Sequence, residues 1–317
     1  MSTRHLVDPE LAAALEVLPP IDLSPDTLAA TRELMKSFAP PKETYWRDDV
    51  GVQAATASGL NGAPDVGLIV YRPLRAEGPM PAILFVHGGG YVMGSAETGA
   101  PACVNAAGEL PCVVVSVDYR LAPETPAPGP VEDCYAGLLW LHGHAAELGV
   151  DANRIAIWGE SAGGGLAAAL ALMARDRGEV PVRLQMLIYP MLDDRTVTLG
   201  PRNPHVGEFI WTNASNRFGW AALLGREPGS GGHHPYAVPA RTQDLTGLPP
   251  AFIAVGSLDL FLQEDIDYAS RLLAAGVPTE LHVIPGAYHA FEALAPQSAA
   301  AQAYVRLRRD ALERALK

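Results

Sequence analysis

A serine framed by glycines is the residue whose surroundings point most directly to chemistry. Residues 159–163 read Gly-Glu-Ser-Ala-Gly, the G-x-S-x-G spacing of a nucleophile elbow, and lie between an apolar run at 154–157 and a helix-like stretch at 166–174. A strand, a tight turn and a helix in that order raise the Ser161 hydroxyl above the C-terminal end of a parallel sheet. Ser161 is therefore the candidate nucleophile, although a glycine-rich helix start without a function can carry the same motif.

Two later loops offer the base and the acid that a serine nucleophile needs, since a serine hydroxyl alone attacks poorly. The apolar run 251–255 leads into Asp259, and the run 280–284 leads into His289. Serine, acid and histidine follow one another in this order in hydrolases with such an elbow. Of the nine histidines, only His289 lies beyond a strand and downstream of an acid so placed. We predict His289 as the general base and Asp259 as the acid that orients it.

Three further acids lie close enough to Asp259 in the sequence to compete with it. Glu264, Asp265 and Asp267 fall at the start of the helix that follows. The helix dipole favours acidic residues at that position whatever their function. Asp259 precedes the helix and directly follows the strand, so it remains the preferred acid.

A glycine-rich loop is placed to stabilise negative charge on a substrate. Residues 87–90 read His-Gly-Gly-Gly and follow the apolar run 82–86. A tetrahedral oxyanion needs two or three backbone donors aimed at it, and loops of this type supply them in esterases. We predict that the N–H groups of Gly88, Gly89 and Ala162 form the oxyanion hole. A glycine-rich turn without a ligand has a similar composition, but its combination with a nucleophile elbow is much rarer.

Short apolar runs alternate with helical segments from residue 44 onward. Most of the runs are continuously apolar, which is typical of strands buried on both faces. The strand candidates are 66–71, 82–86, 112–117, 154–157, 184–189, 251–255 and 280–284, and the helix candidates are 131–148, 161–176, 263–275 and 299–316. Strands that alternate with helices of this length predict a mostly parallel, doubly wound sheet.

Two regions lie outside this alternation. Residues 1–45 predict two helices, at 8–17 and 24–38, with Ser24 as the N-cap of the second. The segment 193–246 separates two strands, and an insertion of that length is usually functional. It carries the aromatic residues Phe209, Trp211, Phe218 and Trp220 and the pair His233-His234. Whether those aromatics pack internally or line a substrate site is open at this point, and the histidine pair is predicted as surface loop, without a metal.

Composition excludes several classes of function. The formal charge of −12, from 23 basic and 35 acidic residues among 317, repels nucleic acid, so we expect no such partner. Cys103, Cys112 and Cys134 lack metal-type spacing and are predicted as buried thiols in a reducing compartment. No leader-like segment is recognisable, and no apolar run reaches the ~18 residues that span a bilayer. The sequence thus predicts a cytoplasmic protein without a membrane partner, a metal or a cofactor.

Five blocks of this sequence together resemble the signature of the hormone-sensitive-lipase family of α/β-hydrolases. They are HGGGY at 87–91, DYRLAPE at 118–124, GESAGG at 159–164, DLF at 259–261 and HAF at 289–291. The resemblance spans roughly 45–317 and implies an α/β-hydrolase fold, with a mostly parallel, eight-stranded, doubly wound sheet and a helical cap. Residues 1–45 are then the N-terminal cap segment, and residues 46–317 the catalytic domain with a cap insertion at about 195–225.

The resemblance also assigns roles to individual residues. His87 and the block 119–124 are implied to support the oxyanion loop rather than take part in the chemistry. Glu160 departs from the aspartate that is usual beside the nucleophile. The candidate substrate-binding residues are Tyr91, Glu160, Phe209, Trp211 and Trp220.

A serine carboxylesterase is the implied activity, acting on short- to medium-chain acyl esters, such as acetyl to hexanoyl esters, through an acyl-enzyme intermediate. Three alternatives stay open at this stage: an amidase or acyl-peptide hydrolase with the same triad, an interfacial lipase, and a non-catalytic small-molecule receptor on this fold. By analogy with relatives that pair through an edge strand near the C-terminus, residues 280–284 are a candidate homodimer interface.

Overall fold

A twisted sheet, covered by helices on both faces, forms the centre of the molecule. The computed structural model describes residues 2–16, 23–37, 40–75, 78–199 and 203–317. The strands in these ranges are β1 Val50–Ala57, β2 Val66–Pro73, β3 Met80–Val86, β4 Val113–Asp118, β5 Val150–Glu160, β6 Leu184–Ile188, β7 Ala251–Gly256 and β8 Thr279–Ile284. Their order is β1-β2-β4-β3-β5-β6-β7-β8, with β2 antiparallel to both β1 and β4 and the other pairs parallel. The predicted eight-stranded, mostly parallel sheet is confirmed.

Helices connect most of the parallel strands. The described α-helices are α1 Pro9–Ala12, α2 Leu28–Ser37, α3 Ala100–Glu109, α4 Gly129–Gly143, α5 Ala145–Leu148, α6 Ala162–Arg177, α7 Asn213–Leu224, α8 Leu262–Ala274, α9 Phe291–Leu294 and α10 Ala299–Leu316. Short 3-10 turns cover Arg4–Leu6, Ala13–Glu16, Lys42–Thr44, Leu60–Gly62, Asp194–Val197 and Pro239–Arg241. None of the described helices is both long and apolar enough to cross a membrane.

The seven strands predicted from apolar runs are all present, but β1 was not predicted. Of the strand β1, only the end residues Val50 and Ala57 are buried, and it lies at one edge of the sheet. It therefore shows no continuous apolar run and little alternation. Strand β5 extends over 150–160, beyond the predicted 154–157. Before the predicted run, Val150 pairs with Met80 at the start of β3.

The observed helices differ from the predicted ones at their ends. The predicted helix 131–148 is divided into α4 and α5 at His144, which caps the first and precedes the second. The regular part of α2 begins at Leu28, yet Ser24 Oγ accepts a hydrogen bond from the Thr27 N–H (3.3 Å), as the predicted N-cap does. The predicted ends of the first two helices, Val17 and Phe38, lie outside the described residues.

Two apolar layers hold the helices to the sheet. On one face the core is formed with α4, α6 and α8, and on the other with α3 and α10. The N-terminal segment contributes to both, because Leu28 packs in the first core and Leu11 is completely buried in the second. Cys103, Cys112 and Cys134 are buried and unpaired, as predicted.

Candidate active site

The predicted nucleophile lies in a strained turn between β5 and α6. Ser161 has φ 57° and ψ −121°, a conformation that residues with a side chain rarely adopt. The turn brings β5 and α6 so close that a Cβ on Gly159 would lie 2.0 Å from the Gly163 carbonyl oxygen, and a Cβ on Gly163 would lie 2.1 Å from the Val86 carbonyl oxygen at the end of β3. Hydrogen bonds fix the turn, from the Ser161 N–H to the Ile188 carbonyl (2.8 Å) and from the Met191 N–H to the Ser161 carbonyl (3.0 Å). The sequence motif thus produces an elbow with a defined direction for the Ser161 side chain.

The three residues predicted as a triad form one hydrogen-bonded chain. His289 Nε2 lies 2.9 Å from Ser161 Oγ, and His289 Nδ1 lies 2.8 Å from Asp259 Oδ2. The other carboxylate oxygen of Asp259 accepts from the Phe261 N–H (3.0 Å), which fixes the carboxylate relative to the ring. All three side chains are buried. A carboxylate that holds Nδ1–H leaves Nε2 free to accept the serine proton.

Two of the competing acids, Glu264 and Asp265, have surroundings of their own among the described residues. Glu264 accepts hydrogen bonds from the Leu192 N–H (2.7 Å), the Asp193 N–H (3.2 Å) and the Thr196 hydroxyl, so it organises the chain after β6. Asp265 is completely buried, and neither of its carboxylate oxygens has a hydrogen-bond partner among the described residues. Burial, together with the charges of Glu264 and Asp259, raises the pKa of Asp265 well above its ordinary value. Among these acids, the geometry brings only Asp259 to the histidine.

Three backbone N–H groups in and beside the elbow have no hydrogen-bond acceptor among the described residues. The N–H groups of Gly88, Gly89 and Ala162 donate to no other group in the described part of the chain. The loop passes so near the elbow that a Cβ on Gly88 would lie 3.0 Å from the Glu160 carbonyl oxygen and 3.3 Å from Ser161 Cβ. Unpaired donors held this rigidly can bind an oxyanion without reorganising.

His87 and Tyr119 support the glycine loop at residues 87–90. Their rings stack at 4.1 Å, and the Tyr119 hydroxyl donates to the His87 carbonyl (2.9 Å). His87 Nδ1 lies 2.8 Å from the Gly88 carbonyl, so the ring carries its proton on Nδ1. Complete burial lowers the pKa of His87 to about 4. A neutral imidazole hydrogen-bonded to the backbone in this way supports the loop.

The N-terminal helix α2 reaches the same loop through Arg32. Its guanidinium donates to the Val92 carbonyl (2.6 Å) and the Ala122 carbonyl (3.0 Å), and it pairs with Glu124 at 2.7 Å. The Ala122 N–H in turn donates to the Tyr91 carbonyl (2.9 Å). Hydrogen bonding to Arg32 lowers the pKa of Glu124 to about 2. One side chain therefore connects α2, the residues after the glycine loop and the block 119–124.

Replacing Arg32 by alanine should loosen the oxyanion loop. Two carbonyl groups and one carboxylate lose their charged donor, which should lower the free energy of unfolding by about 1–3 kcal/mol and kcat by about tenfold. Thermal unfolding and ester hydrolysis measure the two effects. Arg175→Ala is the matched control, because Arg175 also pairs with an acid and donates to two carbonyls, those of Asp244 and Thr246. Equal losses of kcat in both variants would contradict a specific link to the loop.

Aromatic side chains of the insertion lie at different depths. The Trp211 ring packs on the glycine loop, since a Cβ on Gly90 would lie 2.2 Å from that ring. The centroids of the Trp211 and His289 rings are 6.3 Å apart. Phe209 lies 6.2 Å from Tyr288, the residue before His289. Trp220 is completely buried and packs behind Tyr91, 5.2 Å away. The structure therefore brings Trp211 to the site directly and Trp220 only through Tyr91.

The segment that carries Trp211 is tied to the N-terminus. Glu208 accepts from the Ser2 hydroxyl (2.5 Å) and from both the N–H (2.5 Å) and the hydroxyl (2.6 Å) of Thr3. These hydrogen bonds lower the pKa of Glu208. Ile210, two residues further on, has φ 62°, which is rare for a β-branched side chain. N-terminal residues thus hold a strained stretch of the insertion over the site.

Several residues around His289 were not found by sequence reasoning. Tyr189 packs edge-on against the His289 ring at 4.6 Å, and Phe261 does so at 5.3 Å. The hydroxyl of Tyr189 donates to Glu292 Oε1 (2.5 Å). Tyr189 directly follows β6 at the carboxyl edge of the sheet, and this position could have indicated that it lies near the site. Glu160, a predicted substrate contact, faces Arg308 at 3.7 Å.

Known proteins resemble this chain over most of its length. A family model described as alpha/beta hydrolase fold matches residues 83–293. Carboxylesterase NlhH of Mycobacterium tuberculosis is 32% identical over 286 residues, which cover 90% of this chain and 88% of that protein. The structure of a bacterial heroin esterase has a TM-score of 0.94 and 42% identity and covers 100% of both chains. The structure of esterase LipW from Mycobacterium marinum has a TM-score of 0.86 and 35% identity, and the match covers 98% of this chain and 96% of that chain.

Proposed function

Because the chain belongs to the hormone-sensitive-lipase-like family of α/β-hydrolases and is a carboxylic ester hydrolase, we propose that it cleaves short- to medium-chain acyl esters with Ser161, His289 and Asp259. The family, the fold and the enzyme class were predicted correctly. One observation carries the residue assignment: the hydrogen-bonded chain from Asp259 through His289 to Ser161 ends beside three unpaired N–H groups.

Ester cleavage would proceed through an acyl-enzyme. His289 Nε2 takes the Ser161 proton as Oγ attacks the ester carbonyl carbon, and the Asp259 carboxylate stabilises the imidazolium that forms. The carbonyl oxygen, now negative, is held by the N–H groups of the glycine loop and of Ala162. The imidazolium then protonates the departing alcohol. Water, deprotonated by the same histidine, attacks the acyl carbon. The bond from that carbon to Ser161 Oγ then breaks, the imidazolium returns its proton to Oγ, and the acid is released.

A bulky side chain near the nucleophile favours a short acyl chain. The Trp211 ring packs on the glycine loop and lies 6.3 Å from the His289 ring, and these two groups must flank the substrate carbonyl. Heroin, the substrate named for the relative with 42% identity, is itself an acetyl ester. The segments 1–45 and 195–225 would act as a cap over this space, supported by the hydrogen bonds of Glu208 to Thr3.

A series of p-nitrophenyl esters from acetate to palmitate tests this function. We expect the highest kcat/KM between acetate and hexanoate, and simple saturation by dissolved substrate. The matched p-nitroanilide should react far more slowly than the ester. A folded protein inert on every ester would point to a receptor, comparable anilide and ester rates to an amidase, and a rate jump at the solubility limit of a long triglyceride to a lipase.

Removing the Trp211 ring should change the preference for chain length. In Trp211→Ala, the ratio of kcat/KM for hexanoate to that for acetate should rise about tenfold or more, because each methylene accommodated in an apolar pocket is worth about that factor. Trp211→Leu keeps part of the side-chain volume and should give an intermediate ratio. It controls for a collapse of the site in the alanine variant. Trp46→Ala is the control, since Trp46 is 46% exposed and packs on Lys42. An unchanged ratio in both Trp211 variants would place the pocket limit elsewhere.

A further inference from the structure

Two partly buried carboxylic acids lie near the proposed base without a role in the mechanism above. Glu160 ends β5 immediately before Ser161, and Glu292 lies in α9, three residues after His289. The Arg308 guanidinium of α10 faces them, 3.7 Å from Glu160 and stacked over the Trp158 ring at 4.3 Å. The cluster thus holds two acids against one cation. Placing charges in such a location costs stability, so their presence needs an explanation.

Glu292 connects this cluster to His289 by a short route. The Tyr189 hydroxyl donates to Glu292 Oε1 at 2.5 Å, and the Tyr189 ring packs edge-on against the His289 ring at 4.6 Å. Tyr189 itself is held in an unusual conformation, with φ 34°, by its N–H bond to the Ala254 carbonyl (2.6 Å). Its hydroxyl therefore fixes the ring that forms one wall of the imidazole site.

The two acids differ in the groups that offset the effect of burial on their pKa. Burial and the neighbouring Glu292 raise the pKa of Glu160 to about 7, and Arg308 only partly offsets this. Burial also raises the pKa of Glu292, but the hydrogen bond from Tyr189 and the nearby Arg308 and His289 favour its ionised form. The Tyr189 hydroxyl, 2.5 Å from Glu292 Oε1, is thus a direct donor to a negative charge on Glu292.

We propose that Glu292 is a positioning residue for His289: its carboxylate anchors the Tyr189 ring against the imidazole, and its charge supports the imidazolium formed when Ser161 attacks. The groups that face Glu292 are Tyr189 after β6, Glu160 at the end of β5, Arg308 and Tyr304 on α10, and His289 itself. Asp259 then orients the imidazole through Nδ1, while Glu292 acts through the ring face and at longer range. The assignment rests on the proposed role of His289 as the base.

The pH dependence of kcat/KM tests this arrangement. In Glu292→Gln, protonating His289 no longer gains the attraction of a nearby carboxylate, so the acidic limb should move to lower pH by about 0.5–1 unit. We expect kcat to fall about fivefold to twentyfold, with KM within about twofold, because the charge acts on the transition state. Glu292→Asp keeps the charge and should leave the acidic limb near its wild-type position.

Tyr189→Phe removes the anchor and keeps the ring and the Glu292 side chain. Because the lost hydrogen bond also favours the ionised form of Glu292, kcat should fall about threefold and the acidic limb should move in the same direction as in Glu292→Gln, but less far. The matched control is Glu280→Gln, because Glu280 also lies beside a histidine, His282 at 2.7 Å, but on the edge strand β8. It should change neither kcat nor the profile.

His289→Ala distinguishes a failure of this inference from a failure of the proposed function. If His289→Ala stays active, the function itself is wrong. If His289→Ala is inactive while Glu292→Gln keeps the wild-type profile and kcat, only the role of Glu292 is wrong. Should Glu292→Gln not fold, Glu292→Asp and Tyr189→Phe decide: a shifted limb in the aspartate variant, or an unchanged kcat in the phenylalanine variant, overturns the proposal.

Discussion

Ser161→Ala is expected to lower kcat/KM for p-nitrophenyl acetate by about 10⁴-fold or more, because the acyl-enzyme can no longer form. The oxyanion donors and Asp259–His289 remain, so a small residual rate should persist. The fold should be retained, since the lost hydroxyl has its one hydrogen bond to His289. Initial rates and intact mass after treatment with a fluorophosphonate measure the effect: the wild type should gain one adduct and the variant none.

A buried serine away from the site provides the control for that variant. Ser116 is also completely buried, in β4, and its hydroxyl donates to the Ala96 carbonyl (2.8 Å). Ser116→Ala should keep both the activity and the fluorophosphonate adduct, with at most a modest loss of stability. If Ser161→Ala remained active, or were still labelled, another nucleophile would have to be sought.

The second large effect is expected for Asp259→Asn, which should lower kcat by about 10³- to 10⁴-fold at pH 7. The asparagine amide donates to His289 Nδ1 and so moves the imidazole proton to Nε2. That tautomer cannot accept the proton of Ser161 Oγ, although the heavy atoms hardly move. Part of the rate should return at high pH, and a pH–rate profile with a thermal unfolding control measures both features.

Asp265→Asn is matched to that variant in burial and in chemistry. Asp265 is completely buried, six residues further on, and makes no contact with His289. Because burial already favours its neutral form, an amide of the same shape should be tolerated, with kcat within about twofold of the wild type. Equal losses in Asp259→Asn and Asp265→Asn would mean that buried charge in this region, and not the link to the histidine, determines the rate.

The parts of the site that the sequence predicted are those with local requirements. Ser161 needs a strand, a positive φ and small neighbours within five residues, and such a demand leaves a readable motif. Asp259 and His289 follow strands that are recognisable as apolar runs, so their position at the carboxyl edge of the sheet could be inferred. The strand β1 was missed because an exposed edge strand needs no apolar pattern.

Residues that meet only through packing could not be predicted in this way. Tyr189 follows β6 and contacts Glu292 of α9, which packs against the helix α10 that carries Arg308, and no local pattern marks that meeting. Trp220 shows the limit of composition: an aromatic residue in the insertion was predicted as a substrate contact, and its ring is completely buried behind Tyr91, so any effect on substrate would pass through Tyr91. Periodicity alone does not distinguish these two uses of an aromatic side chain.

The long separation of Ser161 from His289 has a consequence during translation. The two residues are 128 positions apart, so at about 5–20 residues per second the ribosome adds the histidine roughly 6–25 s after the serine. Throughout that interval the nascent polypeptide contains the residues of the elbow and of the glycine loop but lacks the proposed base. A chain released before residue 289 should therefore be unable to acylate itself, and hydrolytic competence arises only when synthesis is nearly complete.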